Sequence, residues 1–167
     1  MIQLWVNLPK KDKMTDPAYQ AIENKDMGKL VLENNQGTVT VVAGEYNGVK
    51  GPAKTHTPMN IYVIDLNKNG RVILNEPDNF NFGMLLLSGT VNVNEEAHET
   101  NDFILFKNED GSVNIEATSE DVKLFVLSGE PINEPIAAGG PFVMNTKEEL
   151  RQANEDFYNG DFGTSDF

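Results

Sequence analysis

Along most of the chain, apolar residues recur with period two or in short runs, the pattern of half-buried strands rather than helices. Ile2, Leu4, Val6 and Leu8 alternate with Gln3, Trp5 and Asn7, which predicts an opening strand that Pro9 ends. Val39-Thr40-Val41-Val42-Ala43 follows the polar turn Asn34-Asn35-Gln36-Gly37 and reads as a second strand. Residues 59–66 are rich in β-branched side chains, stop at Asn67-Lys68-Asn69-Gly70 and resume over 71–74, as in a hairpin. The same grammar recurs at 84–87, Ser88-Gly89 and 91–93, and again at 103–106, Asn108-Glu109-Asp110-Gly111 and 113–115. A run over 122–127 closes the series. Strands recurring about every 8–12 residues with Gly, Asn and Asp between them predict an all-β sandwich or barrel. Closure of that kind also hides open sheet edges.

Beyond Ser128-Gly129 the pattern changes, and Pro131, Pro135, Gly139, Gly140 and Pro141 predict an irregular segment. One helix is expected over about 146–159. Thr146-Lys147-Glu148-Glu149 forms a capping box, Leu150, Ala153, Asn154 and Phe157 share a face, and Gly160 supplies the stop. Residues 161–167 read as a frayed tail. The stretch Gly44 to Gly51 lacks the lysine-serine ending of a phosphate loop and is expected to be an irregular glycine loop. The predicted organisation is a strand arm over 1–26, a barrel over 27–130 and a helical extension over 131–167.

Composition narrows the chemistry. With 13 Lys and Arg against 26 Asp and Glu, the 167 residues carry a net charge of −13, so no basic stripe exists for nucleic acid. The absence of cysteine removes disulfides, thiolate metal sites and thiol nucleophiles. No apolar run approaches the roughly 20 residues of a membrane span, and residues 1–6 lack the pattern of a secretion signal, so a cytoplasmic protein is expected. The only histidines are His56, in a turn-like Thr-His-Thr-Pro stretch, and His98, in an acidic turn. Both are weak metal-ligand candidates, and each is more simply a loop or surface histidine. No serine lies in a nucleophile elbow, and no carboxylate pair stands out as acid and base. Phe80, Phe82, Phe103, Phe106 and Phe125 could line an apolar pocket, although core packing would use the same residues.

Specific motifs then point to a family. Gln3-Leu4-Trp5-Val6-Asn7-Leu8-Pro9 with Pro17-Ala18-Tyr19-Gln20 resembles the segment joining the two halves of pirin-family proteins. Ala43-Gly44-Glu45-Tyr46-Asn47-Gly48, Thr55-His56-Thr57-Pro58-Met59, Ser128 to Pro135 and Gly140 to Thr146 resemble later stretches of the same family, in order. The resemblance implies a cupin jelly-roll barrel with one C-terminal helix. It covers only the linking segment and the second barrel of a two-barrel family, in which iron or another divalent metal sits in the first barrel. The chain is thus expected to be a natural half-protein or a truncated frame. Registering the 87–89 turn on that of a metal-binding cupin puts the ligand positions on Asn75, Pro77 and Asn81, a poor donor set.

The expectation from this shortage of donors is a metal-free, non-catalytic regulatory module with no cofactor, acting by binding protein partners. A homodimer is expected to cover the apolar surface, with segment 1–8 or 145–157 exchanged between copies. Two alternatives remain. One is a metal-dependent quercetin (flavonol) 2,3-dioxygenase working with a separate N-terminal half or an unanticipated metal site. The other is a small-molecule-binding cupin.

Overall fold

The computed structural model describes residues 2–163 and forms two compact units, Ala18–Pro131 and Met1–Pro17 with Ile132–Phe167. Twelve strands make up the first unit. They are β1 (Gly28–Val31), β2 (Gly37–Ala43), β3 (Glu45–Tyr46), β4 (Val49–Lys50), β5 (Met59–Leu66), β6 (Arg71–Leu74), β7 (Asn81–Ser88), β8 (Thr90–Val93), β9 (Glu96–Glu99), β10 (Phe103–Leu105), β11 (Val113–Ala117) and β12 (Val122–Gly129). The larger antiparallel sheet runs β1-β2-β5-β12-β7-β10 and the smaller β6-β11-β8-β9. Period-two alternation does what it predicts. Tyr62, Ile64 and Leu66 of β5, Met84 and Leu86 of β7, and Leu124 and Val126 of β12 are buried. Val72, Leu74, Val91, Val93, Ile115 and Ala117 of the smaller sheet join the same apolar core. Burying each Val, Leu, Ile or Met among these contributes about 1.5–3 kcal/mol.

The three predicted hairpins are corrected by the topology. β5 and β6, β7 and β8, and β10 and β11 each lie in different sheets, so each of these turns carries the chain across the core. β5 is already paired on both sides by β2 and β12, and β7 by β12 and β10, which leaves no edge for the next strand. A true hairpin does occur at β8–β9, where Asn94 and Glu95 both have positive φ (46° and 73°). The Gly44 to Gly51 stretch is also more regular than expected, because β3 and β4 pair across Asn47-Gly48.

In the second unit, β13 (Ala137–Gly139) and β14 (Phe142–Met144) form a two-stranded hairpin, and α1 spans Lys147–Asn159. The capping box is present: Glu149 N donates to Thr146 Oγ1 at 3.1 Å, and Thr146 N donates to Glu149 Oε2 at 3.0 Å. Gly160 closes the helix at φ 82°. The Lys10 ammonium lies 2.8 Å from Glu149 Oε1. That contact holds the Glu149 carboxyl below its usual range, with backbone N–H groups of Asn145 and Thr146 adding to it, and raises Lys10. The expected opening strand is not one. Among the described residues no strand pairs with 2–8, and Trp5 is 79% exposed. Alternation makes a strand only where a partner edge exists; this segment is tied down instead by Lys13 Nζ, which donates to Asn7 Oδ1 and to the Val143 carbonyl. Of the expected frayed tail, residues 164–167 lie outside the described residues.

Candidate functional site

One end of the barrel departs from the apolar rule. The inward parity that carries Ile64, Tyr62, Leu124, Val126 and Met84 ends in Asn60 on β5, Ser128 on β12 and Phe82 on β7. Ser128 lies directly opposite both Asn60 and Phe82. Asn60 Nδ2 donates to Glu76 Oε2 at 2.6 Å, and its Oδ1 accepts from Glu45 N at 3.3 Å. Ser128 Oγ is buried and has no hydrogen-bond partner.

Two tyrosines brace this end. The Tyr62 hydroxyl donates to the Glu45 carbonyl at 2.7 Å and the Tyr46 hydroxyl to the Ile73 carbonyl at 3.0 Å, with their rings edge to face at 5.6 Å. Burial pushes both phenols above their ordinary range, and the nearby Glu76 carboxylate raises Tyr62 further. Both side chains are therefore fixed neutral donors rather than proton-transfer groups at neutral pH.

Beside them opens a pocket of 230 Å³. Phe80, Phe82 and Phe106 supply its apolar wall, and Phe82 and Phe106 stack at 4.4 Å with 20° between their planes. Glu76, Asp78, Glu109 and Asp110 contribute carboxylates, against one ammonium from Lys107. The structure thus brings together three of the five candidate phenylalanines. Phe103 and Phe125 both face Leu85 in register, on the parity opposite to Met84, Leu124 and Val126, which places them on the outer face of the larger sheet. Tyr62, Asn60, Glu76 and Ser128 escaped the sequence reading. A legible signal existed, since Asn60 and Ser128 are polar residues on the inward parity of apolar strands.

The histidines do not converge. His56 is exposed in a loop, and His98 sits on the edge strand β9 with Nδ1 3.5 Å from Asp102 Oδ2. At the registered ligand positions, Asn75 Oδ1 accepts from Ser112 Oγ at 2.6 Å, Asn81 Oδ1 accepts from Asn108 Nδ2 at 3.2 Å, and Pro77 is exposed. Among the described residues no group of three or more His, Asp or Glu side chains could hold a metal ion. These residues do not fit the redox metal that the family implies.

A larger groove of 630 Å³ lies in the second unit, lined by Trp5, Val6, Met14, Phe142 and Phe162. Its lysines are engaged internally, Lys13 on Asn7 and Lys10 on Glu149, so its free surface is mainly apolar.

Comparison with known proteins decides the lineage. The Pirin C-terminal cupin domain matches residues 61–163. The chain belongs to the pirin family. A Pseudomonas aeruginosa protein named "Putative quercetin 2,3-dioxygenase" is 41% identical over 162 residues, covering 97% of this chain and 56% of the relative. Human pirin is 34% identical over 170 residues, covering 97% and 57% respectively. The crystal structure of quercetin 2,3-dioxygenase from Acinetobacter baumannii superposes with a TM-score of 0.90 at 40% identity, covering 96% of this chain and 56% of that one. The chain spans about half the length of the curated relatives it matches.

The cupin jelly roll with one C-terminal helix is therefore the fold. The functional expectation is overturned. A non-catalytic regulatory module does not accord with relatives at this similarity that carry the name quercetin 2,3-dioxygenase, and the oxidoreductase alternative is the one they support. The expectation failed because it rested on the shortage of metal donors in this barrel alone. Among the described residues no helix is long and apolar enough to cross a membrane.

Proposed function

We propose that this chain works as the C-terminal cupin of a quercetin 2,3-dioxygenase-type oxidoreductase. The observation that supports this is the likeness, over almost the whole chain, to the Acinetobacter baumannii enzyme. Its own donor set does not fit a redox metal, so on this reading its contribution is structural. It presents a rigid two-sheet barrel to a cupin domain whose residues carry the metal.

A chimera tests the proposal. The portion of the Acinetobacter baumannii enzyme that this chain matches is replaced by this chain, and quercetin-dependent oxygen uptake is measured alongside metal content. The chimera should take up oxygen only when quercetin is present, whereas this chain alone should not. A folded, metal-loaded chimera without quercetin-dependent uptake would refute the proposal.

A further inference from the structure

We propose that two copies of this chain associate face to face through the outer surface of the larger sheet, with Phe125 at the centre of a two-fold contact. The inference stands apart from the oxygenase reading, and its test measures no activity.

The two sheets of the barrel are finished differently on their outer sides. On the smaller sheet the residues that alternate with the buried Val72, Leu74 and Ile115 are Arg71, Ile73, Asn114 and Glu116, paired across β6 and β11, so its outer side is mainly polar. On the larger sheet the strands are apolar on both parities. Phe125 lies opposite Val63 on one side and Leu85 on the other, and Leu85 lies opposite Phe103, which makes an unbroken apolar row across four strands. Leu127 and Leu105, both opposite Gly83, continue it one step along the strands. Antiparallel strands with one face in water alternate apolar with polar, whereas strands apolar on both parities belong to a sheet covered on both sides. The outer side chains nevertheless keep their exposure. Phe103 is 58% and Leu105 73% exposed, and Val63, Phe125, Leu85 and Leu127 are only half-buried.

Charge selects what covers this face. The chain carries −13 overall, so most of its surface repels a second copy. Among the described residues, the outward positions of the six strands hold a single carboxylate, Asp65, and Lys123 opposite it neutralises it at 2.7 Å. Lys29, on the edge strand β1, is the one other charge there. A two-fold contact lays a surface against itself, which a charge-compensated face tolerates and an acidic one does not. A foreign partner selected by charge would need uncompensated charge to read, and this face offers only the Asp65–Lys123 pair and one edge lysine. Size fits as well. At about 4.8 Å between strands and about 3.4 Å per residue, the outer side of β2, β5, β12, β7 and β10 measures roughly 600 Å² in projection. Its side chains raise the accessible area towards the ~800 Å² per partner of a stable interface.

The test is the oligomeric state of the full chain, measured by sedimentation velocity from micromolar to submillimolar protein. A dimer is expected. Raising salt from about 0.05 M to about 0.5 M should tighten it several-fold, because screening weakens the repulsion between two acidic chains and leaves the apolar contact intact. Phe125→Asp should weaken association at least about hundredfold, since it buries a carboxylate at the centre of the contact on each copy. Leu105→Asp, at an exposed edge position where folding is not at stake, should weaken it about tenfold. Ile73→Asp, on the outer side of the smaller sheet, should leave it within about twofold. A chain that stays monomeric throughout this range overturns the proposal without any variant having to fold. So does a dimer that loosens as salt rises, or one that persists unchanged in Leu105→Asp and in a folded Phe125→Asp protein, either of which puts the contact elsewhere.

Discussion

Gly44 is the position at which the geometry of the barrel end can be tested most sharply. It has φ +75°, and a Cβ there would press on Asn60 Oδ1 and come within 2.5 Å of the Met59 carbonyl oxygen. Gly44→Ala therefore adds two costs. The left-handed conformation costs an alanine about 1–2 kcal/mol. Forcing atoms into a filled site costs about 1–3 kcal/mol more, because the Met59 carbonyl is backbone and cannot swing away. Gly48 supplies the control. It also has positive φ (+82°), yet a Cβ there would meet nothing within 4 Å. Gly48→Ala should thus cost only the conformational part, and the difference between the variants, about 1–3 kcal/mol, isolates the crowding at Asn60. Urea unfolding followed by circular dichroism measures both, with equal m-values required before the midpoints are compared. Amide resonances of Asn60 and Glu76 should move in Gly44→Ala and stay in Gly48→Ala, since Asn60 holds Glu76. Equal destabilisation by the two substitutions would refute the claim that the chain approaches Asn60 too closely at Gly44 for a side chain.

Further outcomes follow from the core, from Tyr62 and from the helix cap. Leu124→Ala, at a fully buried site in β12, should destabilise by about 2–5 kcal/mol in the same unfolding assay, and a loss below 1 kcal/mol would contradict its place in the core. Tyr62 has its phenol raised by burial, so its stabilisation is complete below the unfolded value near 10 and is lost as pH rises above it, by about 1.4 kcal/mol per pH unit. Tyr62→Phe should therefore flatten the alkaline fall in stability, read from urea midpoints at pH 9 and about pH 11. Glu149 has the opposite sign, its carboxyl depressed by Lys10 and the helix-cap N–H groups, so its stabilisation is present above the unfolded carboxyl range and disappears as pH falls through the folded value. Glu149→Gln should accordingly lower stability at pH 7 and lose its effect in acid, and an effect that persists at low pH would show that charge is not the cause.

Local patterning was enough to place most strands, because alternation is a property of neighbouring residues. The Thr146–Glu149 capping box likewise marked the start of the helix, since both of its hydrogen bonds lie within four residues. The scarcity of imidazoles was plain from composition, and the family segments were legible in order along the chain. Pairing was not, because a strand's partner depends on which edges other strands leave open. For that reason three turns with hairpin chemistry turned out to cross between sheets, and residues 2–8 alternate without joining one. The pocket shows the same division. Phe80, Phe82 and Phe106 could be named from sequence together with Phe103 and Phe125, but only the register on β7 and β12 decided which ring faces the barrel end and which faces outward. Period two tells which side chains share a face, while which face is inside is set by the sheet that closes over it. Asn60, Glu76 and Ser128 come from separate segments: strand pairing sets Asn60 opposite Ser128, and only the packing of the two sheets over one core brings Glu76, which follows β6, to Asn60.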